Sequence, residues 1–520
     1  MKRKFAALKS LAAANSRRSK RPKSRRIPEP PISPTRKLPN ELWDHIFAHL
    51  MPHEADFLPD VIRDYDLCPA SPIAYNRALR QARTLRLTCK TFAENHVLCS
   101  TLFHDIKLYA TMTSVDNLRD LSEHAYLRNH VQRIDFVYPK LEERYCEAST
   151  YIEELTSTWR SDLRYSVRTN RDLPWLEGIK DQKRREEELI KRSKYPWSSK
   201  QIYEGLAAFR RAYDEQKFVV EDLFEHMVAK RYLPQFPKFK LVRFSYINDL
   251  HPVVFGRDPT WLTENHPDIL LRTMHINEED HDATNHFVTI VLNALAKADT
   301  KPSELTFKDG CGIGPNFRWT DLRDPTVIEE LQTFDLYIHG MDTGFMRDDE
   351  STIEPHWGAL IMPIQCLCKN MERFYIHVKW DLCPADADLD EILDIVRFPR
   401  LKDFHLDRCR NVSGTAFAEF LGAHPLLEEI SHGSESPGLT DRNWSAYWKA
   451  LGNHPNLSKF TLVHEPPWLG ADNPLWIWTD FGRPDMDGDQ ESDEEDAHQA
   501  LYDYVHKKGP WTEELAEMWR

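Results

Sequence analysis

The sequence predicts a mixed α/β protein, in which a helical N-terminal part is followed by an irregular α/β solenoid of strand–helix repeats. A pattern of apolar-x-x-apolar-x-apolar, typical of a strand that buries one face, starts at positions 331, 371, 401 and 457, and its first two apolar positions recur from 427. These starts are 40, 30, 26 and 30 residues apart, which accommodates one strand and one helix per repeat. Between them, helical spacing of apolar residues occurs at Leu389, Ile392, Leu393 and Val396. Such a unit buries its apolar face only by stacking on its neighbours.

Two repeats share a Gly-x-His-Pro motif at the predicted end of the helix. Gly422-Ala-His424-Pro and Gly452-Asn-His454-Pro are offset by 30 residues. Glycine favours the left-handed backbone that ends many helices, and proline prevents continuation, so each motif predicts a helix end, a turn and a strand. The alternative is an irregular α/β domain whose strands only look alike.

Composition argues against several classes of protein. Hydrophobic residues make up 41% and charged residues 29% of the 520 residues, which is enough apolar surface to fold most of the chain. No stretch approaches the about 18 uninterrupted apolar residues that cross a bilayer, so we expect a soluble, unsecreted protein with no membrane partner. The nine cysteines are scattered without a C-x-x-C pair, which argues against a zinc cage or a disulfide framework.

Charge is distributed unevenly along the chain. Residues 1–37 carry thirteen Lys or Arg and one acid, whereas the whole chain has a net charge of −14. The acidic remainder would repel nucleic acid, which argues against nucleic-acid binding. Residues 1–35 are expected to form a disordered basic arm, and its cluster from Arg17 to Arg26 is typical of a nuclear-import signal, which predicts a nuclear and cytoplasmic protein. A solvated tail and a mitochondrial presequence are the alternatives.

The segment from residue 36 to residue 50 predicts an amphipathic helix. Pro39 suits the first helical turn, and Leu42, Ile46 and Leu50 follow at intervals of four residues. By default, a helix of this kind packs its apolar stripe into the core of its own protein.

A second motif downstream completes a known pattern. Leu38-Pro39-x-Glu41-Leu42-x-x-x-Ile46-Phe47-x-x-Leu50, followed by Cys89-Lys-x-Phe92, resembles the F-box over residues 37 to about 103. In that family a three-helix motif binds the Skp adaptor of cullin-based ubiquitin ligases, so the resemblance implies the Skp adaptor and the cullin scaffold as partners. The implied adaptor contacts are Leu38, Pro39, Leu42, Ile46, Leu50, Leu87, Cys89 and Phe92. Residues 51–80 depart from the family pattern and are expected to form an inserted loop within an F-box at 36–103.

The remaining segments complete the predicted organisation. Residues 104–235 are expected to form a charged helical segment, residues 236–482 the solenoid, and residues 483–520 an acidic linker and a C-terminal helix. A leucine-rich-repeat-like solenoid after an F-box resembles the substrate-receptor class of F-box proteins. The resemblance implies that a protein substrate binds the concave face of the strands.

The candidate substrate face consists of strand residues that alternate with the buried apolar ones. In the strand at 401, we expect Leu401, Phe404 and Leu406 to be buried, with Asp403 and His405 exposed on this face. The predicted substrate face comprises Tyr337, Arg373, Tyr375, His377, Asp403, His405 and Asp407.

Common catalytic motifs do not occur in the sequence. It lacks G-x-S-x-G, H-E-x-x-H and G-x-x-x-x-G-K-[ST]. The expected function is therefore that of a non-catalytic F-box substrate receptor, without a cofactor or a metal. The alternative is an enzyme or a metal-binding protein with a site in residues 275–314. That segment holds the glycine-rich stretch 310–314 and a cluster of His275, Glu278, His281 and His286.

Overall fold

The computed structural model describes residues 40–50, 81–138, 141–169, 183–184, 187, 190, 197–246, 281–308, 311–314, 317–338, 357–378, 389–407, 413–433, 444–463 and 512. The chain forms two compact units, Met1–Leu50 and Met51–Arg520. In the first unit, the described residues form helix α1 (Asn40–Leu50). The predicted basic arm (1–35), the insertion (51–80) and all of 483–520 except residue 512 lie outside the described residues.

The second unit is built on a sheet of nine strands that follow one another in chain order. Each strand is parallel to its neighbours, and β1 and β9 form the two open edges. The strands are β1 (Asp105–Tyr109), β2 (Arg133–Tyr138), β3 (Leu241–Tyr246), β4 (Glu304–Lys308), β5 (Thr333–Ile338), β6 (Arg373–Val378), β7 (Asp403–Asp407), β8 (Glu429–Gly433) and β9 (Lys459–Val463). The prediction of a mixed α/β fold is confirmed.

Helices supply the crossovers that parallel strands require. Between strands lie α4 (Met112–Glu123), α5 (Ala148–Thr169), α6 (Ser199–Phe218), α7 (His281–Lys297), α8 (Trp357–Leu367), α9 (Leu389–Ile395), α10 (Gly414–Ala423) and α11 (Trp444–Asn453). Two further helices, α2 (Lys90–Ala93) and α3 (His96–Phe103), precede β1. Helix α6 continues directly into π-helical turns over Val219–Tyr232. Short 3-10 turns cover Leu127–Asn129, Glu143–Cys146, Leu233–Gln235, Trp319–Asp321 and Pro325–Ile328.

One face of the sheet is an apolar column in register. Phe334, Phe374 and Phe404 pair across β5, β6 and β7, and all three are fully buried. Their ring centroids are 5.9 and 6.3 Å apart. Phe398 packs on Phe374 at 5.2 Å, and Phe420 of α10 packs on Phe404 at 4.7 Å. The connections therefore cover this face and form the core with it.

All five strands predicted from the repeat pattern are present. β5 to β9 begin at residues 333, 373, 403, 429 and 459, each two residues after the predicted start. The offset arises because the leading apolar residue, such as Leu401, is buried just before strand pairing begins. Leu401, Phe404 and Leu406 are buried, as predicted.

The sheet begins earlier in the chain than the sequence predicts. Residues 104–235, expected to be helical, contain β1 and β2, so the start expected at 236 is two strands too late. In β1, Ile106 and Leu108 are buried and alternate with Asp105 and Lys107. This alternation lasts only five residues, so the helical periodicity of the flanking charged sequence dominates the prediction.

Helix α10 ends at the predicted motif, but by a different mechanism. Gly422 lies inside α10, and its φ is outside the left-handed region. Instead, the buried ring of His424 donates from Nδ1 to the carbonyl of Phe420 at 2.8 Å. One repeat later, His454 Nε2 donates to the His424 carbonyl at 2.9 Å, and Nδ1 accepts the Leu457 N–H at 3.1 Å. Histidine therefore satisfies the helix end and also links two repeats.

Candidate functional site

Helix α1 carries an exposed apolar stripe. Leu42 and Ile46, one helical turn apart, are 47% and 39% exposed. Phe47 is buried, and the ring of Trp43 stacks on it with centroids 5.7 Å apart. The helix therefore exposes two large apolar side chains and buries a third. Three other predicted members of the stripe lie outside the described residues or have undescribed side chains: Leu38, Pro39 and Leu50.

The downstream half of the predicted adaptor surface is divided between the surface and the interior. Leu87, in a turn after the helical residues 81–86, is 85% exposed. Cys89, just before α2, is half-buried, whereas Phe92 inside α2 is buried. Arg86 donates from Nε to the Ala93 carbonyl at 2.9 Å, which ties the turn to the end of α2. Phe92 is a core residue in this structure, so the expected contact through Phe92 is not available on the surface.

The face of the sheet opposite the apolar column is polar, because strand residues alternate between the two faces. Strand pairing aligns its side chains in rows across β5, β6 and β7. The three rows are Thr333, Arg373 and Asp403; then Asp335, Tyr375 and His405; then Tyr337, His377 and Asp407. All seven residues of the predicted substrate face therefore lie on three adjacent strands.

The centre of this polar face is a cluster of rings and a carboxylate. His377 Nε2 lies 3.1 Å from Asp335 Oδ1. The ring of His377 stacks on Tyr337 at 6.2 Å and lies 4.9 Å from the ring of His405. These side chains lie on β5, β6 and β7, so the cluster joins residues from three repeats.

The prediction that His405 is exposed is wrong. His405 is 4% exposed, and Tyr337, Tyr375 and His377 are also buried. Adjacent strands are about 4.8 Å apart, so large side chains in one row cover those in the next. Asp403, which was predicted to be exposed, is only partly exposed, and Arg373 is exposed. The side chain of Asp407 lies outside the described residues.

A second contact couples a tyrosine to a carboxylate across β6 and β7. The Tyr375 hydroxyl donates to Asp403 Oδ2. Burial raises the pKa of Asp403 to about 6, with a further increase from the charge of Glu429, although the hydrogen bond from Tyr375 opposes both. Burial and the charge of Asp403 raise the pKa of Tyr375 far above its ordinary value. Asp403 is therefore the polar-face carboxylate that titrates closest to neutral pH among those with a resolved shift.

The polar face extends to β1–β4, which sequence reasoning missed. Arg133 Nη1 lies 2.9 Å from Asp105 Oδ2, and Arg133 Nη2 lies 3.2 Å from Glu304 Oε1. Burial acts to raise the pKa of Asp105, but the hydrogen bond from His104 and the charge of Arg133 hold it far below its ordinary range. The alternation of charged and apolar residues in β1 was the available signal. No pattern in the sequence indicates that Arg133 pairs with Glu304, because 171 residues separate them.

The alternative site at 275–314 is described only in part. His275, Glu278 and the side chain of His281 lie outside the described residues, and His286 is exposed on α7. In the glycine-rich stretch, a Cβ on Gly312 would collide with the Tyr337 carbonyl, and Ile313 N–H donates to that carbonyl at 2.9 Å. Close backbone approach to β5 therefore explains this glycine.

Two further findings apply to the described residues alone. No group of three or more His, Cys, Asp or Glu side chains among them is placed to hold a metal ion. No helix formed by them combines the length and the apolar character needed to cross a bilayer.

Comparisons with known proteins provide no family assignment. No family model matches the chain, and no curated protein matches it. Among solved structures, the chain is similar to a Bacteroides fragilis protein from a structural genomics consortium, at 13% identity over 54% of this chain and 78% of that chain. The TM-score of 0.19 is too low to support an inference about fold or function.

Proposed function

We propose that this protein is an F-box-type substrate receptor of a cullin-based ubiquitin ligase. In this proposal, α1 binds the Skp adaptor, the adaptor connects the chain to the cullin scaffold, and the polar face of the sheet binds a protein substrate. The observation that carries the proposal is the exposure of Leu42 and Ile46 on a helix that directly follows Leu38-Pro39. The role is positioning of a substrate, with no catalytic group supplied by this chain.

The exposed stripe is the kind of surface that a partner groove covers. Adjacent large apolar side chains on a helix face are anchors for helix-in-groove recognition. Leu42 and Ile46 are each about half exposed, so complete burial of both would stabilise a complex by about 2 kcal/mol. Leu87, at 85% exposure, is a third apolar side chain available for a partner. The sequence resemblance to the F-box is independent support for the adaptor as that partner.

The sheet supports the substrate-receptor part of the proposal. Parallel strands in chain order, joined by helical connections, are compatible with a leucine-rich-repeat-like solenoid. Such a solenoid presents one strand face to a partner. On β6, Arg373 is exposed, and on β7, Asp403 is partly exposed and accepts a hydrogen bond from the buried Tyr375. A protein segment with charges of both signs fits this surface best.

The adaptor contact is tested by titrating purified Skp adaptor into the full-length chain. We expect wild-type protein to bind at micromolar concentration or below. Ile46→Asp should weaken binding at least about 100-fold, because the new carboxylate would be buried without a partner. Leu426→Asp is the matched control, since Leu426 is also an exposed apolar residue, 46% accessible, in the turn between α10 and β8. The control should bind like wild type.

Folding is measured alongside binding. Both variants should retain the wild-type unfolding midpoint, since each replaces an exposed side chain. Absence of wild-type binding at micromolar adaptor, or normal binding by Ile46→Asp, would contradict the proposal.

A further inference from the structure

Two neighbouring side chains on the polar face have donors that the described part of the chain leaves unpaired. Arg243 of β3 and Thr306 of β4 are direct partners in the strand register. Arg243 Nε and Thr306 Oγ1 are buried, and neither atom has a hydrogen-bond partner among the described residues. No ion pair in that part of the chain includes Arg243. Thr306 is 7% exposed, whereas Arg243 is half-buried, so part of the arginine side chain is accessible to a ligand.

The three acids of the polar face over β1–β4 are each bound by another group. Asp105 and Glu304 both pair with Arg133, at 2.9 and 3.2 Å. Asp135, which precedes the unpaired arginine in the row across β2 and β3, accepts a hydrogen bond from the Ser245 hydroxyl at 2.6 Å. Each of these carboxylates therefore has a closer donor than the arginine of β3.

The charge of the polar face favours an anion over β1–β4. Two half-buried lysines flank the pair, since Lys308 lies two residues after Thr306 on β4 and Lys107 lies in the same row on β1. Over these strands the face carries four bases and three acids, a net charge of +1: Lys107, Arg133, Arg243, Lys308, Asp105, Asp135 and Glu304. Over β5–β8, with histidine neutral, the described side chains are one base and three acids, a net charge of −2: Arg373, Asp335, Asp403 and Glu429. An anionic group of a ligand is therefore attracted to β3 and β4 more than to β5–β8.

We propose that Arg243 and Thr306 bind a carboxylate group of the protein substrate, an inference that rests on the proposed function. A guanidinium presents N–H donors in a planar fork that matches the two oxygens of a carboxylate. The Thr306 hydroxyl adds a third donor to the same anion, and Lys308 adds positive charge from the same strand. An acidic side chain and a C-terminal carboxylate share this chemistry. The carboxylate then satisfies donors that the described chain leaves unpaired.

The site is tested by NMR on the full-length protein labelled at the arginine nitrogens. Two probes carry one carboxylate each: acetyl-Gly-Gly-Glu-Gly-Gly-amide in a side chain, and acetyl-pentaglycine at the C-terminus. Acetyl-Gly-Gly-Gln-Gly-Gly-amide carries no carboxylate and is the control. We expect at least one acidic probe to shift the Arg243 Nε–H signal saturably at millimolar concentration or below, and the control to leave it unchanged. Tighter binding of the glutamate probe would assign an acidic side chain, and tighter binding of pentaglycine would assign a C-terminus.

A threonine-to-valine change separates binding from folding. Thr306→Val keeps the shape of the side chain and removes the hydroxyl, so it should weaken binding of the tighter acidic probe about fivefold. The unfolding midpoint should stay equal or rise, because an unpaired buried hydroxyl no longer opposes folding. Ser431→Ala is the matched control, since Ser431 Oγ on β8 is also buried without a hydrogen-bond partner among the described residues. It should bind the probe within about twofold of wild type.

An arginine pair of variants tests the charge. Arg243→Gln should weaken binding of the acidic probe about tenfold, since it removes a charge-assisted hydrogen bond. Arg318→Gln is the control, because Arg318 is an exposed arginine in the connection between β4 and β5, and it should bind within about twofold of wild type. Equal weakening by Arg318→Gln, unchanged affinity in Thr306→Val, or no saturable shift with either acidic probe would overturn the proposal.

Adaptor titration of the same samples keeps the two proposals apart. Adaptor binding by a wild-type protein that binds neither acidic probe would remove the carboxylate site alone. Probe binding by a protein that does not bind the adaptor would contradict the ligase role and leave the carboxylate site in place.

Discussion

The two halves of the sheet, β1–β4 and β5–β9, preserve the same strand order with very different connections. In the C-terminal half, successive strands start 26 to 40 residues apart. In the N-terminal half, β2 starts at residue 133 and β3 at residue 241. The register nevertheless runs through both halves without a break. Pairing of apolar columns therefore sets the register here, and long connections are tolerated because loop-closure entropy grows slowly with length.

The long connection between β2 and β3 is stabilised by a core of its own. Tyr151 and Leu155 of α5 are buried against Leu206 and Phe209 of α6. The rings of Tyr151 and Phe209 lie 5.8 Å apart. An insertion with its own apolar cluster adds a helical layer without disturbing the strands on either side.

The halves also differ in what holds their polar faces together. Ion pairs around Arg133 join β1, β2 and β4 in the N-terminal half. In the C-terminal half, rings and one tyrosine–carboxylate bond join β5, β6 and β7. The N-terminal half should therefore depend more on charge, and the C-terminal half more on packing.

The largest expected effect is in the packing of the C-terminal half. Phe404→Ala should lower the free energy of unfolding by about 3–5 kcal/mol, because the ring is fully buried between Phe374 and Phe420. Urea denaturation measures the change. Met362→Ala, at a 47% exposed position on α8, is the control and should stay within about 0.5 kcal/mol. A loss below about 1 kcal/mol for Phe404→Ala would mean that the apolar column does not set the register.

A smaller effect is expected from charge in the N-terminal half. Arg133→Ala should cost about 2 kcal/mol, because Asp105 and Glu304 lose their shared partner in a mostly buried place. Arg119→Ala is the matched control, since Arg119 pairs with Asp116 and Asp120 on the exposed face of α4. It should cost less than about 1 kcal/mol. Equal losses in the two variants would remove the contrast between the halves.

The smallest expected difference is in acid sensitivity. In the N-terminal half, the pKa of His130 is lowered to about 4, because the folded state favours the neutral imidazole. The contribution of His130 to the free energy of unfolding is therefore complete above about pH 6.5 and is lost as the pH falls toward 4. Asp105, whose pKa is also lowered, adds a further loss below its ordinary value of 3.8. His424 in the C-terminal half has a pKa of about 4 and acts in the same direction as His130. The pKa of Asp403 is raised to about 6, so the folded state favours the protonated carboxyl and gains stability as the pH falls below 6. This effect opposes that of His424.

Acid should therefore weaken β1–β4 more than β5–β9. Hydrogen exchange at about pH 7 and pH 4.5, corrected for intrinsic rates, measures the opening free energy of each half. His130→Gln should reduce the difference between the halves, because glutamine does not titrate. Equal acid weakening of both halves in wild type would contradict the assignment.

The sequence alone determined the strands β5–β9 and the helices α9, α10 and α11, which lie between β6 and β9. Their signals are local, since each strand pattern lies within six residues and the repeat period is about 30 residues. The amphipathic character of α1 was determined in the same way, by the spacing of Leu42 and Ile46. Short patterns are readable because neighbours in the chain are neighbours on one helix or strand face.

Only the tertiary structure decided which polar residues meet and which are buried. Arg133 and Glu304 pair across 171 residues of sequence, and His405 is covered by side chains from other strands. The spacing of apolar residues in α1 also did not show that Ile46 is exposed while Phe47 is buried, because both lie on the same apolar half of the helix. Burial and cross-strand pairing depend on which surfaces come together in three dimensions, and a local apolar period does not contain that information.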